Sequence, residues 1–273
     1  MKRALTLHLP IALFMLVLLF PFYWMFITSL KANTELYNTK ANPLLVVAPS
    51  LTHYVRLFTD TLFVRWSLNT VIVSVVSTLI SLVAGTLAGY ALARLRFRGG
   101  GVLGIVVFIS YLVPPTLLFI PLAEVVRNFG LLDSPLALIL TYPTFLIPFC
   151  TWLMMSYFKT IPRDLEDCAR IDGATRVQAM VRVALPLAIP GILSAGIFAF
   201  TLSWNEFLYA LVFITSASQK TIPVGVVADL VKGDVFFWGS LMAGALLGSV
   251  PVAIIYSFFV DHYVRALTGA LKG

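Results

Sequence analysis

Apolar residues run along this chain in long uninterrupted blocks separated by short polar stretches, not in the alternations or stripes that a water-soluble fold shows. Six blocks reach the roughly 20 residues that a helix needs to cross a bilayer. They lie at about 9–30, 68–93, 101–126, 135–158, 185–215 and 236–260. Lipid offers a backbone amide no partner, so each spanning block must satisfy its own hydrogen bonds, and helices are predicted. Pro114, Pro115, Pro121, Pro143 and Pro148 interrupt the third and fourth blocks, where proline bends a helix by removing a donor and crowding the preceding turn. The expected architecture is an all-α integral membrane protein, one domain over residues 1–273 with six transmembrane helices.

Composition agrees. The chain is 60% hydrophobic and 11% charged, against about 45–50% and about 25% in soluble domains, with a mean hydropathy of +0.96. The net charge of +7 would suggest nucleic acid as a partner in a soluble protein, but here the basic residues sort by side. Lys2, Arg3, Arg94, Arg96, Arg98, Lys159, Arg163, Arg170, Arg176, Arg182, Arg265 and Lys272 share one side, twelve in all, and Lys31, Lys40, Arg56, Arg65, Arg127, Lys220 and Lys232, seven, share the other. The positive-inside rule then puts both termini in the cytoplasm, and nucleic acid is not an expected partner. The first block exceeds a signal-peptide core of about 7–15 residues and reads as a span. Tyr54, Phe58 and Trp66 mark the first external loop as interfacial. Gly85 with Gly89 and Gly244 with Gly248 have the spacing that lets membrane helices approach closely.

Catalytic and metal chemistry find no constellation. Cys150 and Cys168 suit neither a disulfide framework nor a metal cluster, and His8, His53 and His262 lack companions at ligand spacing, so no metal is expected. No Gly-x-x-x-x-Gly-Lys-Ser/Thr loop occurs, so the chain itself shows no means of binding ATP. Trp204, Asn205, Glu206 and Phe207 fall inside the fifth block. An ionisable group at membrane depth is a candidate for the solute path, and interhelical polar contacts are the other account of it.

The informative segment is 159–183. Nine charged residues fall in the 26 from Phe158 to Val183. Pro162 can open a helix whose first turns carry Asp164, Glu166 and Asp167, as the helix dipole favours. Leu165, Cys168, Ala169 and Ile171 line it with mostly small apolar groups, and Gly173 falls where a helix ends in the left-handed conformation. Thr175 and Gln178 have the spacing of a capping box that starts a second helix. A short helix, a glycine corner and another helix suit docking into a partner's cleft.

The run Leu165-Glu166-Asp167-Cys168-Ala169-Arg170-Ile171-Asp172-Gly173-Ala174, followed by Val183-Ala184-Leu185-Pro186, resembles the EAA loop of ABC-importer permeases, with Asp167 where Glu is usual and Cys168 where Ala is usual. The resemblance covers nearly the whole chain and is closest to sugar permeases of the maltose-permease type, through Asn69, Ala88-Gly89-Tyr90-Ala91-Leu92-Ala93-Arg94, Phe97-Arg98-Gly99, Pro114, Trp204-Asn205-Glu206-Phe207, Thr221-Ile222-Pro223 and Gly269-Ala270-Leu271-Lys272-Gly273.

That resemblance implies a type I ABC importer permease fold in the cytoplasmic membrane of a bacterium or archaeon. It implies a non-catalytic transport subunit that pairs with a second permease as a heterodimer, with two copies of a cytoplasmic ATPase and an extracytoplasmic solute-binding protein. ATP and Mg would sit on the ATPase, and none on this chain. Glu166, Asp167, Cys168, Ala169, Arg170, Asp172, Gly173 and Ala174 would form the ATPase-coupling surface, and Gly269, Lys272 and Gly273 a second contact from the tail. The alternative reading, an ion-gradient-driven secondary transporter, would be marked by an inverted internal repeat with interrupted helices.

Overall fold

The computed structural model describes residues 7–233 and 235–269. The helices are α1 Leu9–Leu30, α2 Asn33–Leu36, α3 Thr52–Thr59, α4 Phe63–Arg94, α5 Gly100–Leu112, α6 Pro115–Asn128, α7 Pro135–Thr141, α8 Pro143–Thr160, α9 Asp164–Ile171, α10 Arg176–Ala179, α11 Leu185–Trp204, α12 Leu208–Phe213, α13 Ile222–Leu230 and α14 Trp238–Gly269. A two-residue hairpin, β1 Val231–Lys232 with β2 Val235–Phe236, pairs antiparallel through Val231 with Phe236 and Lys232 with Val235. Among the described residues, five helical stretches are long and apolar enough to cross a membrane, and the α5 and α6 pair makes a sixth if counted as one span.

That pair departs from the single third span expected at 101–126: it bends by 93°. Val113 leaves the helical region at φ −68°, ψ 120°, because the ring of Pro114 clashes with a helical predecessor. The fifth span is shifted as well. It extends from Arg176 to Trp204, so Asn205, Glu206 and Phe207 sit in a break before α12 and not within a helix expected to reach 215.

The chain divides into two units, residues 1–67 with 220–251 and residues 68–219 with 252–273. In the first, α1 packs on α3. Lys31 is buried with its Nζ donating to the carbonyls of Asn42 and Pro43, both at 2.9 Å, and His53 bonds the Lys31 carbonyl through Nε2 at 2.8 Å. Gly244 and Gly248 of α14 lie against Val226 and Ile222 of α13, where an added Cβ would come within 3.1 and 3.2 Å of their methyls.

In the second unit, α8 packs against α5 and α11. Its centre holds Tyr90, Met154, Phe158, Ala188 and Ala195. A Cβ on Gly85 would overlap the Cβ of Cys150, and one on Gly89 would sit 2.8 Å from that of Met154, so α4 and α8 touch backbone to backbone there. This contact sets the cytoplasm-assigned end of α4 beside the 159–183 segment.

Candidate functional site

Local sequence explains the shape of 159–183. Asp164, Glu166 and Asp167 fill the first turn of α9, where the unpaired amides attract negative charge. The helix stops at Gly173, whose φ of +94° is open to glycine and costly for a residue with a Cβ. Gly173 N donates to Arg170 O at 3.1 Å and Ala174 N to Ala169 O at 3.0 Å, the paired bonds of a Schellman stop. Thr175 then caps α10 reciprocally with Gln178, through Gln178 N to Thr175 Oγ1 at 3.2 Å and Thr175 N to Gln178 Oε1 at 2.8 Å. A π-helical turn over Met180–Ala184 carries the chain into α11. Pro186 accounts for it, since it has no N–H to donate to the Arg182 carbonyl four residues back and its ring crowds that carbonyl.

The side chains of α9 divide into two sets. Glu166 points inward: Oε1 lies 2.8 Å from Arg94 Nε, and Oε2 accepts from Tyr90 Oη at 2.7 Å. Arg94 also donates to Ile161 O at 2.7 Å, and Arg163 donates to Ala93 O at 2.8 Å. Tyr90 packs edge-on against Phe158 with centroids 5.4 Å apart. The root of the segment is thus fastened to α4 by a buried ion pair, a phenol hydrogen bond and two arginine-to-carbonyl bonds. Tyr90 and Arg94 belong to a run quoted in the resemblance, where no role was assigned to them. Their spacing of four residues, which puts both on one helix face, was the available signal.

Asp167, Cys168, Arg170, Asp172 and Gly173 form the other set and are exposed, while Ala169 and Ala174 are half-buried. Asp167 and Arg170 make a loose 3.4 Å pair in solvent. Ile171 is 85% exposed, and Leu165, Val177 and Val181 are also open. Of the tail residues, Gly269 ends α14, and Lys272 and Gly273 lie outside the described residues.

The 204–207 group is arranged by its own backbone. Trp204 is buried, Asn205 turns its Nδ2 back to Thr201 O at 2.9 Å, and Phe207 is half-open. Glu206 accepts from Tyr209 N at 2.8 Å, Ala210 N at 3.1 Å and Tyr142 Oη at 2.8 Å. Its carboxylate therefore caps α12 and ties it to the junction of α7 and α8 at Tyr142. Tyr142, fully buried, is the partner that sequence reasoning did not find. Asp133 makes a comparable tie at the next loop, accepting from Thr215 N at 2.9 Å, Ser216 N at 2.7 Å and the Ser216 hydroxyl. The Ser216 bonds hold its carboxyl down at about 2. Among the described residues no group of three or more His, Cys, Asp or Glu side chains is placed to hold a metal ion.

Residues 81–269 match the family described as the binding-protein-dependent transport system inner membrane component. The chain belongs to that family. The permease is 40% identical over 258 residues to the sulfoquinovosyl glycerol transport system permease protein SmoH of Agrobacterium fabrum, covering 93% of this chain and 89% of that one. It is 33% identical over 262 residues to the trehalose/maltose transport system permease protein MalG of Thermococcus litoralis, covering 94% and 93%. Its fold matches a chain of a bacterial ABC transporter involved in import of the acidic polysaccharide alginate, with TM-score 0.78 at 24% identity over 94% and 95% of the two chains. The permease is therefore a multi-pass inner-membrane component of an ABC importer, and the ion-driven reading is set aside.

Proposed function

We propose that this permease forms half of the path for a carbohydrate or a close relative of one, and that a separate ATPase drives it through the 164–179 segment. The cargo reading is supported by relatives named for sulfoquinovosyl glycerol and for trehalose and maltose. A second, different permease completes the pathway, an extracytoplasmic binding protein delivers the solute, and two ATPase copies hold the ATP and Mg. This chain contributes position and rigidity, not chemistry.

One observation carries the coupling reading. Ile171 stands 85% exposed at the far end of a helix whose near end is clamped by Glu166 and Arg163. An isoleucine left in water beside Leu165, Val177 and Val181 suits a partner cleft, and the clamp lets a push on α9 reach α4 without being absorbed by a hinge. In this reading Asp167, Arg170 and Asp172 make charge-assisted hydrogen bonds with the ATPase, and Cys168, Ala169, Gly173 and Ala174 permit close approach. Exposed Cys168 is a native handle. In the assembled transporter, cysteines placed along the ATPase cleft are expected to cross-link to it, and Ile171→Asp to lower ATP-dependent uptake while the chain still inserts. Transport of labelled sugar by the purified permease alone, driven by an ion gradient, would overturn the reading.

A further inference from the structure

A cavity of about 360 Å³ opens between the end of α4 and the α9 to α10 corner, lined among others by Arg94, Arg96, Arg163, Arg170 and Arg176 with Glu166 and Asp167. Five guanidinia against two carboxylates leave a formal +3 within one concavity. The carboxylates are already spent, Glu166 on Arg94 and Tyr90, and Asp167 on Arg170. Arg163 uses one nitrogen on Ala93 O. The side chains of Arg96 and Arg176 have no hydrogen-bond or ion-pair partner among the described residues and are exposed at the mouth. Like charges gathered this closely repel unless an anion lies among them.

We propose that this cavity binds a phosphate-bearing anion, held by Arg96 and Arg176 with the remaining donors of Arg163 and Arg170. Guanidinium forks match phosphate oxygens two at a time, and a tetrahedral phosphate offers several guanidinia more oxygens than a single carboxylate has. The space equals roughly a dozen water volumes, room for a glycerophosphate headgroup. The site also stands at the membrane end of α4, on the side the basic residues assign to the cytoplasm, where basic pockets meet acidic lipid headgroups. Bound there, the phosphate would bridge α4 to α9 and α10 and stiffen the joint between them. The inference does not rest on the ATPase reading, since it concerns what the permease holds in the absence of nucleotide.

The test is native mass spectrometry of the full-length permease in detergent, supplied with dioleoyl phosphatidylglycerol, dioleoyl phosphatidylcholine or inorganic phosphate. The expected result is retention of phosphatidylglycerol over phosphatidylcholine, reduced about tenfold in Arg96→Gln/Arg176→Gln and unchanged in Arg127→Gln, a charge control on the other side. Retention or thermal protection by inorganic phosphate with no preference between lipids, lost in the same double variant, would name a free phosphate as the source and keep the site. Binding that the double variant does not weaken, or no binding of either phosphate source, overturns the proposal. Exposed Arg96 and Arg176 make a folding failure of the variant readable against its unfolding temperature.

Discussion

The Glu166 carboxylate meets the Arg94 guanidinium at 2.8 Å with both side chains 10% exposed or less. A buried pair of this kind adds little net stability, but removing one partner strands the other charge. It therefore acts as a fastener that fixes where α9 leaves the bundle. Glu166→Ala is expected to cost about 3–5 kcal/mol, and Tyr90→Phe about 1–3 kcal/mol. Unfolding in detergent measures both, and a near-neutral Glu166→Ala would remove the fastener.

Gly173 tests the corner. Its φ of +94° strains any side chain, although no atom stands within 4 Å of a Cβ there. Gly173→Val is expected to cost about 1–2 kcal/mol locally and to abolish uptake while membrane insertion persists. Normal uptake by a well-expressed variant would show that the corner geometry is dispensable.

At the close contact of α4 with α8, space rather than φ decides. Gly89→Ala brings a methyl to 2.8 Å from Met154 Cβ, whereas Gly101→Ala meets nothing within 4 Å. Overpacking should destabilise the first by about 1–3 kcal/mol and leave the second near neutral. Equal melting temperatures for the two variants would contradict the helix contact.

For Glu206 the structure favours capping. Glu206→Gln and Tyr142→Phe are both expected to lower stability, by about 1–2 kcal/mol each, and to share that loss in the double variant because they break one bond. A change in transport KM with no change in stability would return Glu206 to the solute path.

His53 supplies a pH dependence. Burial, the largest influence, holds its imidazole below the ordinary 6.5, with Arg56 adding to it and the Lys31 carbonyl opposing. The unfolded chain therefore takes up the proton first, so the stability contribution is complete above about pH 6.5 and declines as pH falls through that value. A thermal-unfolding series from about pH 7.5 to about pH 5.5 should show the decline in the wild type and a flatter profile in His53→Gln. Parallel profiles would count against His53 as the source.

Lipid solubility is a property of each segment, so hydropathy and proline positions disclosed the membrane helices, and short-range rules disclosed the Gly173 stop and the Thr175 cap. Only the folded chain decided how these pieces meet. The partners of Glu166 and Glu206 depend on contacts the chain makes with itself at a distance. Tyr90 is 76 residues from Glu166 and Tyr142 is 64 from Glu206. The pattern of a single helix specifies which face a carboxylate occupies, but which neighbour that face meets is set by packing, and with it whether the charge is offered to a partner or consumed inside.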